Sequence, residues 1–182
     1  GATVVVVDVE PDSAKRVAGE LASLAMDKTR VEIRVEPADW SESGADHISF
    51  WIAPNVGEEL KPLEKIASGG ELSRTALALK TCTAPASASK KSAPRTLVFD
   101  EVDAGVGGSA AEAVGRRLKK LADSSQVLCV THLAQVAGFA DHHYFVDKTS
   151  AKGRTIASIE ELTPEQRTRE IGVRKAIGAR RS

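Results

Sequence analysis

Two short apolar runs, separated by a helical pattern, constrain the fold of this chain more than any other feature. Thr96 to Phe99 is a continuous apolar run that leads straight into Asp100 and Glu101, and Val127 to Val130 is the second run. Runs of this kind are typical of strands buried on both faces. The stretch from Ala110 to Ala122 between them has a helical pattern. Strand, helix and strand in this order predict a parallel crossover, and therefore an α/β fold.

Hydrophobic periodicity predicts the remaining elements around this crossover. An N-cap at Asp12 and Ser13 and a proline after Thr163 mark the starts of two helices. An exposed, mobile loop is expected at 84–94, and a turn at 152–153. The predicted elements are a strand at 1–10, a helix from 12 to about 26, an antiparallel strand pair near 31–36 and 48–52, helices at 73–83 and 133–140, strands at 144–147 and 155–159, and a final helix from 163.

Composition and charge exclude several classes of protein. The 182 residues suit one domain, and Lys+Arg and Asp+Glu each total 25, so the net charge does not indicate a polyanionic partner. Any DNA contact is therefore expected to be local or to lie outside this chain. The one locally basic region is the stretch 167–181, whose pattern is more typical of a solvated or frayed helix. Cys82 and Cys129 have no metal-ligand spacing, and no apolar run approaches the roughly 20 residues that span a bilayer. These features favour a soluble cytoplasmic protein.

The segment from Ser68 to Arg74 is a candidate anion site. It reads Ser-Gly-Gly-Glu-Leu-Ser-Arg and lies where a loop turns into a helix. Gly69 and Gly70 would allow the backbone to approach an anion closely, and the free amides and dipole of a helix start favour negative charge. Taken alone, the same residues are more typical of a tight turn and a helix cap.

Carboxylates follow the first apolar strand. Ligands of open α/β sheets bind at the carboxyl ends of the strands, which is where Asp100 and Glu101 fall. Alternation along a strand would aim them to opposite sides, so that Asp100 can hold a magnesium ion while Glu101 faces a water that attacks a phosphate. Asp103 adds a third carboxylate in the glycine-rich loop that follows. The alternative is a strand that ends in a solvated acidic turn.

A histidine follows the second apolar strand. His132 would lie at the same sheet edge, where its imidazole can contact a phosphate or orient water. A lone histidine is more often structural, and that interpretation is kept for His142 and His143 beside the next strand.

The order and spacing of the three motifs resemble an ABC-type ATPase head. Ser-Gly-Gly-Glu resembles the signature loop, Leu-Val-Phe-Asp-Glu the Walker B strand, and Val-Thr-His the switch-histidine loop. The phrases at 65–74, 99–108, 131–137 and 141–144 resemble the RecN branch, a DNA-repair relative of the SMC proteins.

The resemblance implies a role for each motif. Its fold is the C-terminal half of an ABC/SMC-like head, in which a mostly parallel sheet is flanked by helices and an antiparallel strand pair lies near the N-terminus. Ser68, Gly69, Gly70 and Glu71 would reach the ATP γ-phosphate bound by a second head of a homodimer. In its own head Asp100 would serve Mg²⁺, Glu101 would be the general base, and His132 would sense the γ-phosphate. Asp103 would belong to the loop that couples the two sites.

One part of such a head is missing from the sequence. No Gly-x-x-x-x-Gly-Lys-Ser/Thr phosphate loop occurs in the 182 residues. The chain is therefore expected to form a single partial head domain: 14–60 lead into it, 61–162 hold the three motifs, and 163–182 form a C-terminal helix. A partner carrying the Walker A segment is required for ATP hydrolysis, and the chain alone is expected to be inactive.

Three functions fit these motifs. The resemblance implies ATP-dependent repair and recombination of DNA double-strand breaks, with DNA bound by the full assembly, no membrane contact and a nucleoid-associated location. The alternatives are a non-catalytic fragment that pairs with intact heads and the ATP-binding subunit of a transporter. Transporter signatures usually carry Gln where this chain has Glu71, and Pro where it has Val102.

Overall fold

The computed structural model describes residues 12–42, 44–66, 68–83, 95–151 and 154–178. The predicted strand at 1–10, the loop at 84–94 and the turn at 152–153 lie outside these ranges. In chain order the elements are α1 (Asp12–Ser23), β1 (Arg30–Ser41), β2 (Gly44–Ala53), β3 (Lys61–Pro62), a 3₁₀ turn (Leu63–Lys65), α2 (Gly69–Thr83), β4 (Thr96–Phe99), α3 (Gly108–Ala122), β5 (Gln126–Cys129), α4 (Ala134–Ala137), β6 (Tyr144–Ala151), β7 (Arg154–Glu161) and α5 (Pro164–Gly178).

The parallel crossover is present as predicted. β4 and β5 pair in parallel from Thr96 opposite Gln126 to Phe99 opposite Cys129, and α3 connects them. The α3 side chains that face the core are Ala111, Val114, Leu118 and Leu121, at the three- and four-residue spacing of one helix face. Because both strands run in the same direction, their carboxyl ends lie side by side at one edge.

The antiparallel pair is also confirmed. β1 and β2 pair with Val31 opposite Ile52 and Ile33 opposite Phe50, so the alternating apolar residues share one face of the hairpin. β3 extends this sheet beside β2. β6 and β7 form a second antiparallel hairpin.

Three helix boundaries differ from the predicted ones by three residues or more, and the simplest case is α4, which ends at Ala137 instead of residue 140. α1 ends at Ser23 rather than near Met26, because Ala25 takes a left-handed conformation (φ 59°) and the N–H of Met26 bonds back to the carbonyl of Leu21 (3.0 Å). That geometry ends helices, usually at glycine. α2 begins at Gly69 instead of Ser73. The glycine pair is therefore the first turn of the helix and not a loop before it.

The start of α5 agrees with the predicted cap. The Thr163 hydroxyl accepts the N–H of Gln166 (3.3 Å), and the Gln166 side chain accepts the N–H of Thr163 (2.7 Å), with Pro164 at the first helical position. This reciprocal pair is a capping box.

The core lies among the first three helices, β2 and the loop after β4. Its largest fully buried side chains are Leu21, Leu24, Ile52, Leu77, Val102 and Val114. The β4–β5 pair is covered unevenly. Phe99 is buried in the core, whereas Val98 and Val130 are 67% and 64% exposed in the described part of the chain. None of the helices in the described ranges has the length and apolar character that a membrane span requires.

Candidate functional site

The acidic turn begins where β4 ends. The strand stops at Phe99, and Glu101 has a positive φ of 56°, while the Glu101 carbonyl accepts the N–H of Ala104 (2.9 Å). The carboxylate of Asp100 accepts the N–H of Glu101 (2.9 Å). Strand alternation therefore does not separate Asp100 from Glu101. The left-handed turn sets the direction of Glu101, and both residues are exposed.

Asp103 is the most constrained carboxylate at this edge. It is 3% exposed, and its Oδ2 accepts the hydroxyl of Thr131 (2.5 Å) and the backbone N–H of His132 (3.0 Å). The Thr131 hydroxyl in turn accepts the N–H of Leu133 (3.1 Å). The loop after β5 is thus fastened to the loop after β4 through one buried carboxylate.

The imidazole of His132 faces outward from this anchored backbone. Its Nδ1 lies 3.2 Å from the same Asp103 oxygen, while the side chain is 71% exposed. A fixed main chain with an exposed ring suits a side chain that contacts something outside the fold.

The start of α2 lies against the acidic turn. The Ser68 hydroxyl accepts the N–H of Glu71 (3.4 Å), and the Ser73 hydroxyl donates to the carbonyl of Asp100 (2.5 Å). Ser68 therefore caps the helix, and Ser73 joins the helix to the turn. Ser68 and Gly69 are exposed, Glu71 is half-buried and Gly70 is buried.

The two glycines serve close packing. Neither has a positive φ, so a left-handed turn does not explain them. A Cβ on Gly69 would overlap the Glu101 carboxylate, and a Cβ on Gly70 would lie 2.9 Å from the Cβ of Ala104 and 3.2 Å from the carbonyl oxygen of Glu101. The glycine pair lets the first turn of α2 and the acidic turn touch.

Arg74 ends the predicted anion-site segment but was assigned no role of its own from the sequence. It is 7% exposed, and its Nη1 donates to the carbonyl of Ala104 (2.7 Å). Burial lowers the pKa of Arg74, an effect that the Glu71 carboxylate opposes. A sequence signal existed: Arg74 lies three and four residues before Leu77 and Ala78, on the buried face of α2.

Cys129 lies beneath the same edge. Burial raises the pKa of its thiol to about 12, and the carboxylates of Asp103 and Asp100 act in the same direction. The cysteine therefore remains a neutral, half-buried side chain at physiological pH.

His142 and His143 lie elsewhere, as predicted. They line a cavity of about 530 Å³ between the β6–β7 hairpin and α5, together with Glu161 and Arg167. His142 pairs with Glu161 (2.7 Å), and Arg167 donates to the carbonyls of Ala137 (3.4 Å) and Gly138 (3.2 Å). The first contact closes the base of the hairpin, and the other two join α5 to the end of α4.

Comparison with known proteins identifies relatives of the sequence. The chain is 42% identical over 159 residues to the DNA repair protein RecN of Vibrio cholerae, 38% over 175 residues to that of Bacillus subtilis, and 44% over 155 residues to that of Deinococcus radiodurans. These matches cover 86%, 87% and 83% of this chain but 28%, 30% and 26% of the relatives. The chain thus spans less than a third of the length of these relatives. No protein-family model matches it.

Comparison with solved structures identifies the fold. The Smc head domain with a coiled coil and joint from Pyrococcus yayanosii has a TM-score of 0.55 at 23% identity, covering 90% of this chain and 29% of that one. The Smc head domain with an extended coiled coil from Pyrococcus furiosus has a TM-score of 0.53 at 22% identity, covering 88% and 37%. The fold is that of an SMC head, and by its sequence the chain belongs to the RecN family.

Proposed function

We propose that this chain is the half of a RecN-type ATPase head that carries the signature loop, the acidic pair and the switch histidine. In this proposal it serves ATP-dependent repair and recombination of DNA double-strand breaks. The observation that carries the proposal is the convergence of three distant segments: Ser68–Glu71, Asp100–Asp103 and Thr131–His132 meet at the carboxyl edge of β4 and β5.

The acidic turn would perform the chemistry. The Glu101 carboxylate is exposed at the strand end, where it would accept a proton from water as that water attacks a γ-phosphate. The His132 ring would contact the same phosphate, with its backbone held by Asp103. Ser68, Gly69, Gly70 and Glu71 would face the γ-phosphate of a second head, since a helix start favours anions.

The residues present fit a magnesium ion. Mg²⁺ in nucleotide sites is held by one or two carboxylates, with waters and phosphates as its other ligands. Asp100 supplies such a carboxylate, oriented by the N–H of Glu101 (2.9 Å). In the described ranges no three or more His, Cys, Asp or Glu side chains are grouped as a metal cage, so the ion would arrive with its nucleotide. When bound, Mg²⁺ would neutralise charge that develops on the phosphates.

The exposed face of β4 and β5 supports the need for a further segment. Val98 and Leu128 lie in the adjacent parallel strands β4 and β5, Val130 follows β5 directly, and all three apolar side chains are exposed. Parallel sheets are normally covered on both faces. We expect the Walker A half of the head to cover this face and to bring the phosphate loop, which the 182 residues lack, to the same edge.

Complementation tests this function directly. The chain is mixed with a separately expressed RecN N-terminal half that carries the phosphate loop, and Mg²⁺-dependent phosphate release is measured with and without linear DNA. The mixture should hydrolyse ATP while neither part does alone, and Glu101→Gln should abolish turnover. Glu112→Gln is the matched control, because Glu112 lies on the exposed face of α3 and pairs with Arg116.

A mixture that assembles but never hydrolyses ATP would favour the first alternative, a non-catalytic fragment that pairs with intact heads. The absence of a phosphate loop from the sequence is the observation that keeps this alternative open. The transporter alternative is disfavoured by Glu71 and Val102 at the two positions that differ between the branches.

A further inference from the structure

Arg74 is a buried cation with a specific acceptor. Its Nη1 donates to the carbonyl of Ala104 (2.7 Å), and its buried Nε has no hydrogen-bond partner in the described structure. A buried charge is retained at a cost in desolvation, and an apolar side chain would fill the same space without it. Packing alone therefore does not explain an arginine here.

The acceptor of Arg74 lies one residue from Asp103. Asp103 holds the backbone of His132 (3.0 Å) and the hydroxyl of Thr131 (2.5 Å). A continuous path thus runs from the guanidinium on α2 through the Ala104 carbonyl and the Asp103 carboxylate to His132. Each step is a hydrogen bond or a peptide link, and Arg74, Ala104 and Asp103 on this path are buried or half-buried.

The packing around this path leaves it little freedom. Gly70, one turn before Arg74 on α2, packs against Ala104 so closely that a Cβ there would lie 2.9 Å from that of Ala104. The loop at Ala104 is therefore held on one side by the helix backbone and on the other by the arginine. A shift of α2 must be passed to the loop, because close-packed interiors transmit displacement instead of absorbing it.

We propose that Arg74 is a positioning residue that couples the first turn of α2 to the conformation of His132. The inference deepens the proposed function and rests on it for its consequence. Ser68 to Glu71 would face the nucleotide of one head and His132 that of the other. Arg74 would then couple the two nucleotide sites energetically, through the loop at 103–104 that its guanidinium and the Asp103 contacts hold.

Amide hydrogen exchange of the nucleotide-free chain, resolved by NMR, tests the coupling. The measured quantity is the ratio of two amide exchange rates, that of His132 to that of Val130. The N–H of His132 donates to the Asp103 carboxylate, whereas the N–H of Val130 donates to the Phe99 carbonyl (3.0 Å) and does not involve Asp103. In Arg74→Met the His132 amide should exchange at least about tenfold faster relative to Val130, since loss of a local restraint lowers the free energy of local opening. Arg74→Lys keeps a donor and should restore part of the protection.

Arg117→Met is the matched control. Arg117 is a half-buried arginine of α3 whose Nε lies 2.9 Å from the carboxylate of Glu20 on α1, and this contact does not involve Ala104 or Asp103. It should leave the His132 to Val130 ratio unchanged. Native protection of His132 in Arg74→Met, or an equal loss at both amides, would overturn the proposal.

This result and the complementation assay fail independently. The exchange measurement uses no nucleotide. If Arg74→Met changes the His132 to Val130 ratio but the complemented mixture has no ATPase activity, the proposed function is rejected and the contact between Arg74 and the histidine loop is retained. If the mixture hydrolyses ATP and the ratio is unchanged, the proposed function is retained and the role of Arg74 is rejected.

Discussion

The carboxylate of Asp103 and the backbone N–H of His132 are joined by a hydrogen bond of 3.0 Å, although they lie on different loops of the sheet edge. Parallel pairing of β4 and β5 brings the two loops together. Asp103, which was expected to belong to the loop that couples the two sites, is thus buried, and its carboxylate fastens the histidine loop to the loop after β4. Its role in the site is to hold His132, whose ring is the exposed group.

Asp103→Asn should destabilise the chain by about 1–3 kcal/mol, because a neutral amide oxygen accepts the Thr131 hydroxyl and the His132 N–H more weakly than the carboxylate Oδ2 does, and the buried NH₂ group needs an acceptor of its own. Urea unfolding followed by circular dichroism measures the change. Asp123→Asn is the control, since Asp123 is exposed after α3, and it should have little effect. An Asp103 variant as stable as the parent would mean that the carboxylate does not anchor the histidine loop.

Alanine substitutions at Gly70 and Gly69 should change the stability of the chain in different ways, because Gly70 lies against backbone and Gly69 against a flexible side chain. Gly70→Ala meets Ala104 and the Glu101 backbone, so the main chain must move, and a loss of about 1–3 kcal/mol is expected. Gly69→Ala meets only the flexible Glu101 carboxylate, which can swing away, so the gain in helix propensity of about 1 kcal/mol should largely remain. Chemical denaturation of both variants checks the order.

Gly19→Ala controls for helix propensity. Gly19 lies in α1 with open space around its Cβ position, so it should stabilise the chain. If Gly70→Ala behaved like Gly19→Ala, the close approach of α2 to the acidic turn would be wrong.

Glu101 illustrates a conflict between stability and function. Its φ of 56° is unfavourable for a residue with a Cβ. Glu101→Gly should therefore be more stable than Glu101→Ala by about 1 kcal/mol, since only glycine adopts this conformation without strain. Thermal unfolding of the pair tests this, and both should be inactive in the complemented ATPase. Equal stabilities would show that the turn relaxes when the carboxylate is removed.

The sequence predicted the elements with strong local signals. The apolar run 96–99, the alternating positions of β1 and β2, and the cap at Thr163 each depend on contacts that lie close in sequence or follow a fixed period. The parallel edge followed from the order of strand, helix and strand. These features, with the three motifs, were enough to predict that the three motif segments lie at one edge of the sheet.

Contacts between distant segments were harder to predict. Asp103 is buried against Thr131 and His132, and the contact that gives Arg74 its proposed role is a hydrogen bond to the Ala104 carbonyl in another loop. Both depend on residues distant in sequence, so a local sequence pattern does not predict them. Strand alternation did not predict the directions of the Asp100 and Glu101 side chains, because β4 ends at Phe99 and Glu101 adopts a left-handed backbone conformation. The end of α1 was missed because alanine, and not glycine, adopts its terminating conformation.

The thiol of Cys129 should make stability fall at alkaline pH. Its pKa is raised from 9.0 to about 12 in the folded chain. Between these values the unfolded chain binds fewer protons, so the free energy of unfolding decreases as the pH rises above 9.0, and below 9.0 the thiol has no effect. Chemical denaturation at pH 7.5 and at pH 10 measures this. The free energy of unfolding should decrease more between these two pH values for the parent than for Cys129→Ala. Equal decreases would mean that other groups cause the alkaline destabilisation.

The exposed face of β4 and β5 should be dispensable for folding and required for assembly. Val98 and Val130 are largely exposed, so Val98→Lys and Val130→Lys remove few contacts within the described chain and should change its unfolding free energy by less than about 0.5 kcal/mol. If the Walker A half covers this face, a buried lysine would lack a partner, and binding should weaken at least about a hundredfold. Titration calorimetry with the N-terminal half measures the loss. Val56→Lys is the matched control, because Val56 is equally exposed but lies in the turn after β2. If Val98→Lys and Val130→Lys both bind the N-terminal half as tightly as the parent, the partner contacts another face. If either variant fails to fold, the valine side chain stabilises the chain itself, and the prediction that this face is dispensable for folding is wrong.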